Sequence, residues 1–204
     1  MGTTKRINQM SVMSNIYNVA LISEKTIKNN SPISNDIDGK YILPAIQSAT
    51  DIDLQPIIGS KLLLAYKCAV FNGYMAQEKI DTCDTPLKTV LNSAKIFLDD
   101  YIVKYLQWQV MVNLTTMVTY KYANSGVYTN QDDKRSGTDY KTNMQLVQQY
   151  QKYANGYAIT MQEYQSKHQS VLNQFIYAIN GLFNIFDGTE CDCKEDIPYC
   201  GIIF

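Results

Sequence analysis

Few residues in this chain of 204 could carry chemistry. The single histidine, His168, rules out a metal site built on two imidazoles and leaves one candidate general base. It falls between Tyr164 and Val171 on a helical stripe, where the ordinary role of such a residue is core or interface packing with a hydrogen-bonded ring. Cys191-x-Cys193-x6-Cys200 could gather three thiolates on zinc, with His168 or Asp192 as a fourth ligand. Structural zinc sites usually have two well-spaced ligand pairs, however, so this pattern reads as free thiols in a docking tail. With Cys68 and Cys83 the cysteine count is odd and uneven, which is not a disulfide framework. Asp99-Asp100 and Asp132-Asp133 are adjacent carboxylates; on a helix such neighbours diverge by about 100°, and in a loop they are usually only solvated. No glycine pattern of a phosphate loop or a nucleophile elbow occurs, and Gly59-Ser60-Lys61 reads as a helix start. The expectation is a protein that is not an enzyme and has no cofactor or metal.

The composition agrees with an ordinary domain. Lys and Arg total 18 against 19 Asp and Glu, a net charge of −1, with 46% hydrophobic residues. A chain of this size buries roughly 70% of its unfolded surface, enough for a core without metals or disulfides. Near-neutral charge argues against gripping nucleic acid or anionic lipid, both of which need a basic excess. The densest apolar stretch, 110–118, is interrupted by Asn113, Thr115 and Thr116, so no membrane span is expected. The N-terminal residues lack a signal-peptide pattern, and Arg6 stands where a myristoylation motif has Ser or Thr. A cytosol-like site of synthesis follows.

Residues 1–22 sustain no helical period and read as an extended arm, followed by a helical domain over 23–185 and a tail over 186–204. Ser23 caps a short helix that Asn29-Asn30-Ser31-Pro32 closes. Asp36 or Asp38 caps a second, carrying Ile42, Leu43, Ile46, Ala49 and Ile52, with Pro44 in its first turn or bending it and Gln55-Pro56 ending it. Ser60 caps a third that stops at Asn72-Gly73, and 74–84 is a polar connection. Thr85-Pro86 then starts a long helix over about 86–123, whose stripe Leu87, Leu91, Ala94, Leu98, Tyr101, Tyr105, Trp108 and Val112 steps by alternating fours and threes. Residues 124–139 form a long exposed loop. A return helix over about 140–180 carries Leu146, Tyr150, Tyr153, Tyr157, Met161, Tyr164, His168, Val171 and Phe175. Within it Gly156 is a point of close packing, and Gly181 is the stop. The fold class is all-α: a small body of short helices plus a long antiparallel helical hairpin.

Helices of roughly 38 and 40 residues run about 57–60 Å, longer than the roughly 43 Å diameter of a compact globule of this size. A protruding antiparallel pair leaves flanks for neighbours to cover, which suggests an assembling protein. Of the sixteen tyrosines, Tyr150, Tyr153, Tyr157 and Tyr164 line one helical face, either as a core stripe or as a subunit interface. The apolar end Ile197-Pro198-Tyr199-Cys200-Gly201-Ile202-Ile203-Phe204 reads as a segment that folds back or docks as an added strand. A monomeric or dimeric helical binding or regulatory module is the alternative, separable from a ring by stoichiometry.

Several stretches together carry a resemblance. Leu21-Ile22-Ser23-Glu24, Ile37-Asp38-Gly39-Lys40-Tyr41-Ile42-Leu43-Pro44-Ala45-Ile46 and Pro56-Ile57-Ile58-Gly59-Ser60-Lys61-Leu62 lie in the first half. Leu98-Asp99-Asp100-Tyr101-Ile102, Tyr120-Lys121-Tyr122-Ala123-Asn124-Ser125-Gly126-Val127 and the stretch from Ala154 to Tyr164 lie in the second. In order and spacing, over roughly residues 20 to 180, they resemble the head-tail connector (adaptor, or head-completion) proteins of tailed bacteriophages, of the type in crAss-like phages of gut Bacteroidales. The resemblance implies an all-α body with a long hairpin, and a ring, typically of twelve copies, beneath the portal. It implies a structural protein of the virion neck, made in the host cytoplasm, whose partners are the portal protein, neighbouring copies and the next neck or tail protein. DNA would pass through the lumen without specific binding, and no membrane is involved. By the same resemblance Ile197, Tyr199, Ile202, Ile203 and Phe204 belong to a portal-docking tail. Ser125, Gly126, Val127, Tyr128, Asp132, Lys134 and Arg135 belong to a loop facing the next tail component or the channel. The arm over residues 8–20 and the tail cysteines Cys191, Cys193 and Cys200 have no role that the resemblance supplies.

Overall fold

Ser23 is extended (φ −90°, ψ 153°) and its hydroxyl accepts from the Thr26 amide at 3.1 Å, so it caps helix α1, Glu24–Asn30. Asp38 caps α2, Gly39–Ser48, accepting from the Lys40 amide at 3.0 Å. The computed structural model in which these contacts are seen describes residues 15–32, 37–123, 126–129 and 140–186. Pro44 sits inside α2, beyond its first turn and on its exposed side. The helical path then widens into a π-helical run, Ala49–Leu54, and closes with one turn, α3, Gln55–Ile58. Pro56 therefore lies at the start of that turn rather than ending the helix, and the stop is Gly59 at φ 85°, a conformation that favours glycine. Helix α4, Ser60–Phe71, follows and ends at Asn72 and Gly73 (φ 76°), as expected.

The segment read as a polar connection contains a short helix, α5, Gln77–Asp81, because Met75 and Ile80 are buried and pin it to the core. Helix α6, Thr85–Phe97, has Pro86 in its first turn and passes through a second π-helical run, Leu98–Ile102, into α7, Val103–Thr119. Expected as helix to residue 123, the chain instead leaves the helix as strand β1, Tyr120–Ala123, which pairs antiparallel with β2, Gly126–Thr129. Tyr, Val and Thr favour strands, and the pairing satisfies backbone groups of both segments. Part of the expected 124–139 loop is thus ordered as a ribbon. The return helix is two pieces, α8, Tyr140–Lys167, and α9, Gln169–Phe183, broken at His168 (φ −118°, ψ 20°). Its stop is Asn184 in the left-handed region (φ 50°, ψ 51°), not Gly181, which lies within α9.

The fold is all-α in class, with the ribbon as its only strand pair among the described residues. Helix α7 packs on α8 along one side and on α2 and the first π-helical run along another, while α9 packs on α4 and α6. The core includes Ile42, Leu54, Tyr66, Leu91, Phe97, Leu106, Met161 and Phe175, all essentially inaccessible. Burial of each large apolar side chain contributes about 1.5–3 kcal/mol. The hairpin is therefore present, but its α7 flank is covered by α2 of the same chain, not left open for a neighbour. The N-terminal region also differs from expectation: Ile16, Leu21 and Ile22 are buried in the core, so the body begins by residue 16 rather than at 23.

Candidate functional site

The hairpin seam is aromatic. From α8, Tyr150 and Tyr153 lie 5.9 Å and 4.7 Å, centroid to centroid, from Trp108 of α7. One end of the seam brings Tyr164 to 4.6 Å from Tyr101 and 5.1 Å from Phe97. Tyr150, Tyr157 and Tyr164 are half-buried, whereas Tyr153 stays 42% exposed at the edge. The structure thus places the tyrosine stripe mainly inside the hairpin. Behind it, the buried Tyr66 donates its hydroxyl to the Ala94 carbonyl at 2.9 Å and packs on Phe175 at 4.8 Å. Burial pushes the Tyr66 phenol well up, helped by Tyr164 and Asp99. It raises Tyr105 in the same way, with Asp53 adding to it, and also Tyr164, with Tyr101 and Asp100 adding.

His168 is exposed rather than packed in the core, because it occupies the break between α8 and α9. Its ring stacks on Tyr164 at 4.0 Å, and Nδ1 lies 3.1 Å from the Tyr164 carbonyl oxygen. Asp99 and Asp100 are both exposed on the second π-helical run, and Asp99 is engaged by Lys95 at 2.6 Å. Cys68 is buried; burial raises its thiol, which the Asn72 amide at 3.5 Å partly offsets. Cys83 is half-buried and donates to the Lys79 carbonyl at 3.4 Å. Among the described residues no group of three or more His, Cys, Asp or Glu is placed to hold a metal. Nor, among them, is any helix long and apolar enough to cross a membrane.

Sequence reasoning missed one polar feature. Lys67 stands in the apolar stripe of α4 with its side chain 5% exposed, and its ammonium donates to Asp51 at 2.5 Å and to the Tyr17 carbonyl at 2.6 Å. A groove of about 300 Å³ opens beside it, lined by Tyr17, Asp51, Gln55, Ser60 and Leu63 among others. A lone Lys among Leu, Ala, Tyr and Cys was the only available signal, and its partners lie 16 and 50 residues away. The arrangement is a clasp that binds the N-terminal segment to the body.

Of the residues assigned to the exposed loop, Gly126, Val127 and Tyr128 form β2 and pair with Ala123, Tyr122 and Lys121. Ser125, Asp132, Lys134 and Arg135 lie outside the described residues, as do Ile197, Tyr199, Ile202, Ile203 and Phe204 of the tail and Cys191, Cys193 and Cys200. Comparison with models of protein families, with curated proteins and with solved structures finds no match.

Proposed function

We propose that this protein is a structural adaptor of a tailed-phage neck, a connector that assembles as a ring beneath the portal, extends the DNA channel and offers a platform for tail proteins. One observation carries the reading. The hairpin is anchored at its base, where α7 is buried as far as Leu114, and continues into a two-stranded ribbon beyond that point. Such an element is built to reach another molecule from a rigid body. The order and spacing of the residue stretches that resemble phage connectors support the same reading, and so does a net charge of −1, since a lumen through which DNA slides should not hold it.

In this reading the protein acts by assembly and not as an enzyme. Twelve copies, the number the resemblance implies, dock on the portal through the C-terminal residues, and side-by-side packing closes the ring. Mixing the full chain with the portal protein encoded in the same genome, and recording native mass and negative-stain images, tests the proposal. A portal bearing about twelve added copies is the expected result. A free monomer or dimer beside an unmodified portal would overturn it in favour of a binding module.

A further inference from the structure

On the outer face of α8, a glycine and a large apolar residue stand exposed among the described residues. Gly156 is exposed in the middle of the helix, and a Cβ built there would meet no atom within 4 Å. Close packing therefore does not require glycine, nor does backbone conformation, since its φ is not positive; yet glycine weakens a helix relative to Ala. One turn on, Ile159 is 58% exposed. Lys152, one turn before Gly156, and Glu163, two turns after it, are exposed too, and among the described residues neither joins an ion pair. At about 100° per residue these four fall within roughly 60° of one another, opposite the buried Ala154 and Met161.

Their spacing is palindromic. If α8 meets an antiparallel copy of itself about a two-fold axis between residues 157 and 158, Gly156 of each copy faces Ile159 of the other. Lys152 then faces Glu163, also twice. Each isoleucine enters the notch left by the missing Cβ, and each charge meets its opposite. A parallel, in-register pair would instead set Lys152 against Lys152 and Glu163 against Glu163. We propose that the outer face of α8 is a self-association surface whose partner is a second copy of this chain, docked antiparallel about that axis.

A single helix pair lies at the small end of specific interfaces, so the dimer is a weak one. The inference does not rest on the connector reading. A two-fold contact closes on two copies, whereas a ring needs head-to-tail contacts, so this pairing is a state of the free protein.

Sedimentation equilibrium of the full chain across the micromolar range tests it. The wild type should show a reversible monomer–dimer equilibrium. Lys152→Glu and Glu163→Lys should each weaken it by about tenfold or more, and the double exchange, which restores both pairs with signs reversed, should recover it. Gly156→Leu should abolish the dimer while leaving the thermal midpoint unchanged or higher, which separates lost contact from lost folding. A chain that stays monomeric throughout, a dimer indifferent to all four variants, or a double exchange as weak as the single ones would overturn the proposal.

Discussion

Helices α7 and α8 run antiparallel against each other, yet they follow different rules of composition. On α7, Tyr105, Leu106, Val110, Met111, Val112 and Leu114 are all buried, and the helix packs against both α8 and α2. Among the residues of α8 whose burial is described, only Ala154 and Met161 are fully buried, and the far side is polar apart from Gly156 and Ile159, with Gln145, Gln148, Lys152 and Glu163 exposed there. One arm is an internal beam with neighbours of its own chain around it, and the other is a cover with one wet face. An apolar helix of this kind needs no outside partner, so any assembly surface of the hairpin belongs to α8 or to the ribbon.

The widest separation between the arms should come from truncating one side chain on each. Leu106→Ala should cost about 2–5 kcal/mol in a urea titration, while Ile159→Ala at protein concentrations below dimerisation should stay within about 0.5 kcal/mol. Equal losses would mean that the two arms are not differently covered. A smaller effect of opposite sign is expected on α8: Gly156→Ala should stabilise the monomer by about 1 kcal/mol, a rise of roughly 2–4 °C in melting temperature. A fall would show that something touches this position in the monomer.

The last test is a matter of pH. Tyr105 on α7 has a phenol held above its ordinary value by burial. A group whose folded pKa is raised stabilises the fold fully below its unfolded pKa, about 10 for tyrosine, and loses that contribution as pH climbs through the folded value. Stability should therefore decline with pH above about 10, and Tyr105→Phe should flatten that decline in denaturant melts. An unchanged slope would assign the alkaline loss to other buried phenols, Tyr66 first among them.

The seam from Leu87 to Val112 was legible because alternating fours and threes leave one face of a helix apolar, and these residues are buried or half-buried. The other half of the burial along α6, the second π-helical run and α7 was not. Once Phe97, Ile102, Leu106, Val110 and Leu114 join the stripe, the helix is apolar on most sides, and periodicity weakens as a guide when more than one face is covered. The π-helical runs carry no Gly or Pro to announce them, and neither does the break at His168, which follows from α8 and α9 packing on different partners. The stop at the end of α9 was misread because glycine is the commonest left-handed residue; asparagine fills that role here, three positions later. The Lys67 clasp joins residues far apart in the chain, which no local pattern encodes.

That clasp has an evolutionary consequence. Lys67 grips the main-chain oxygen of residue 17, an atom every amino acid provides, while the Tyr17 side chain stays 56% exposed. Position 17 can therefore drift without disturbing the bond, whereas position 67 must keep an ammonium. A tether held this way leaves no trace in paired substitutions, so two residues that touch in every copy of the protein would look, in any record of inherited change, like strangers.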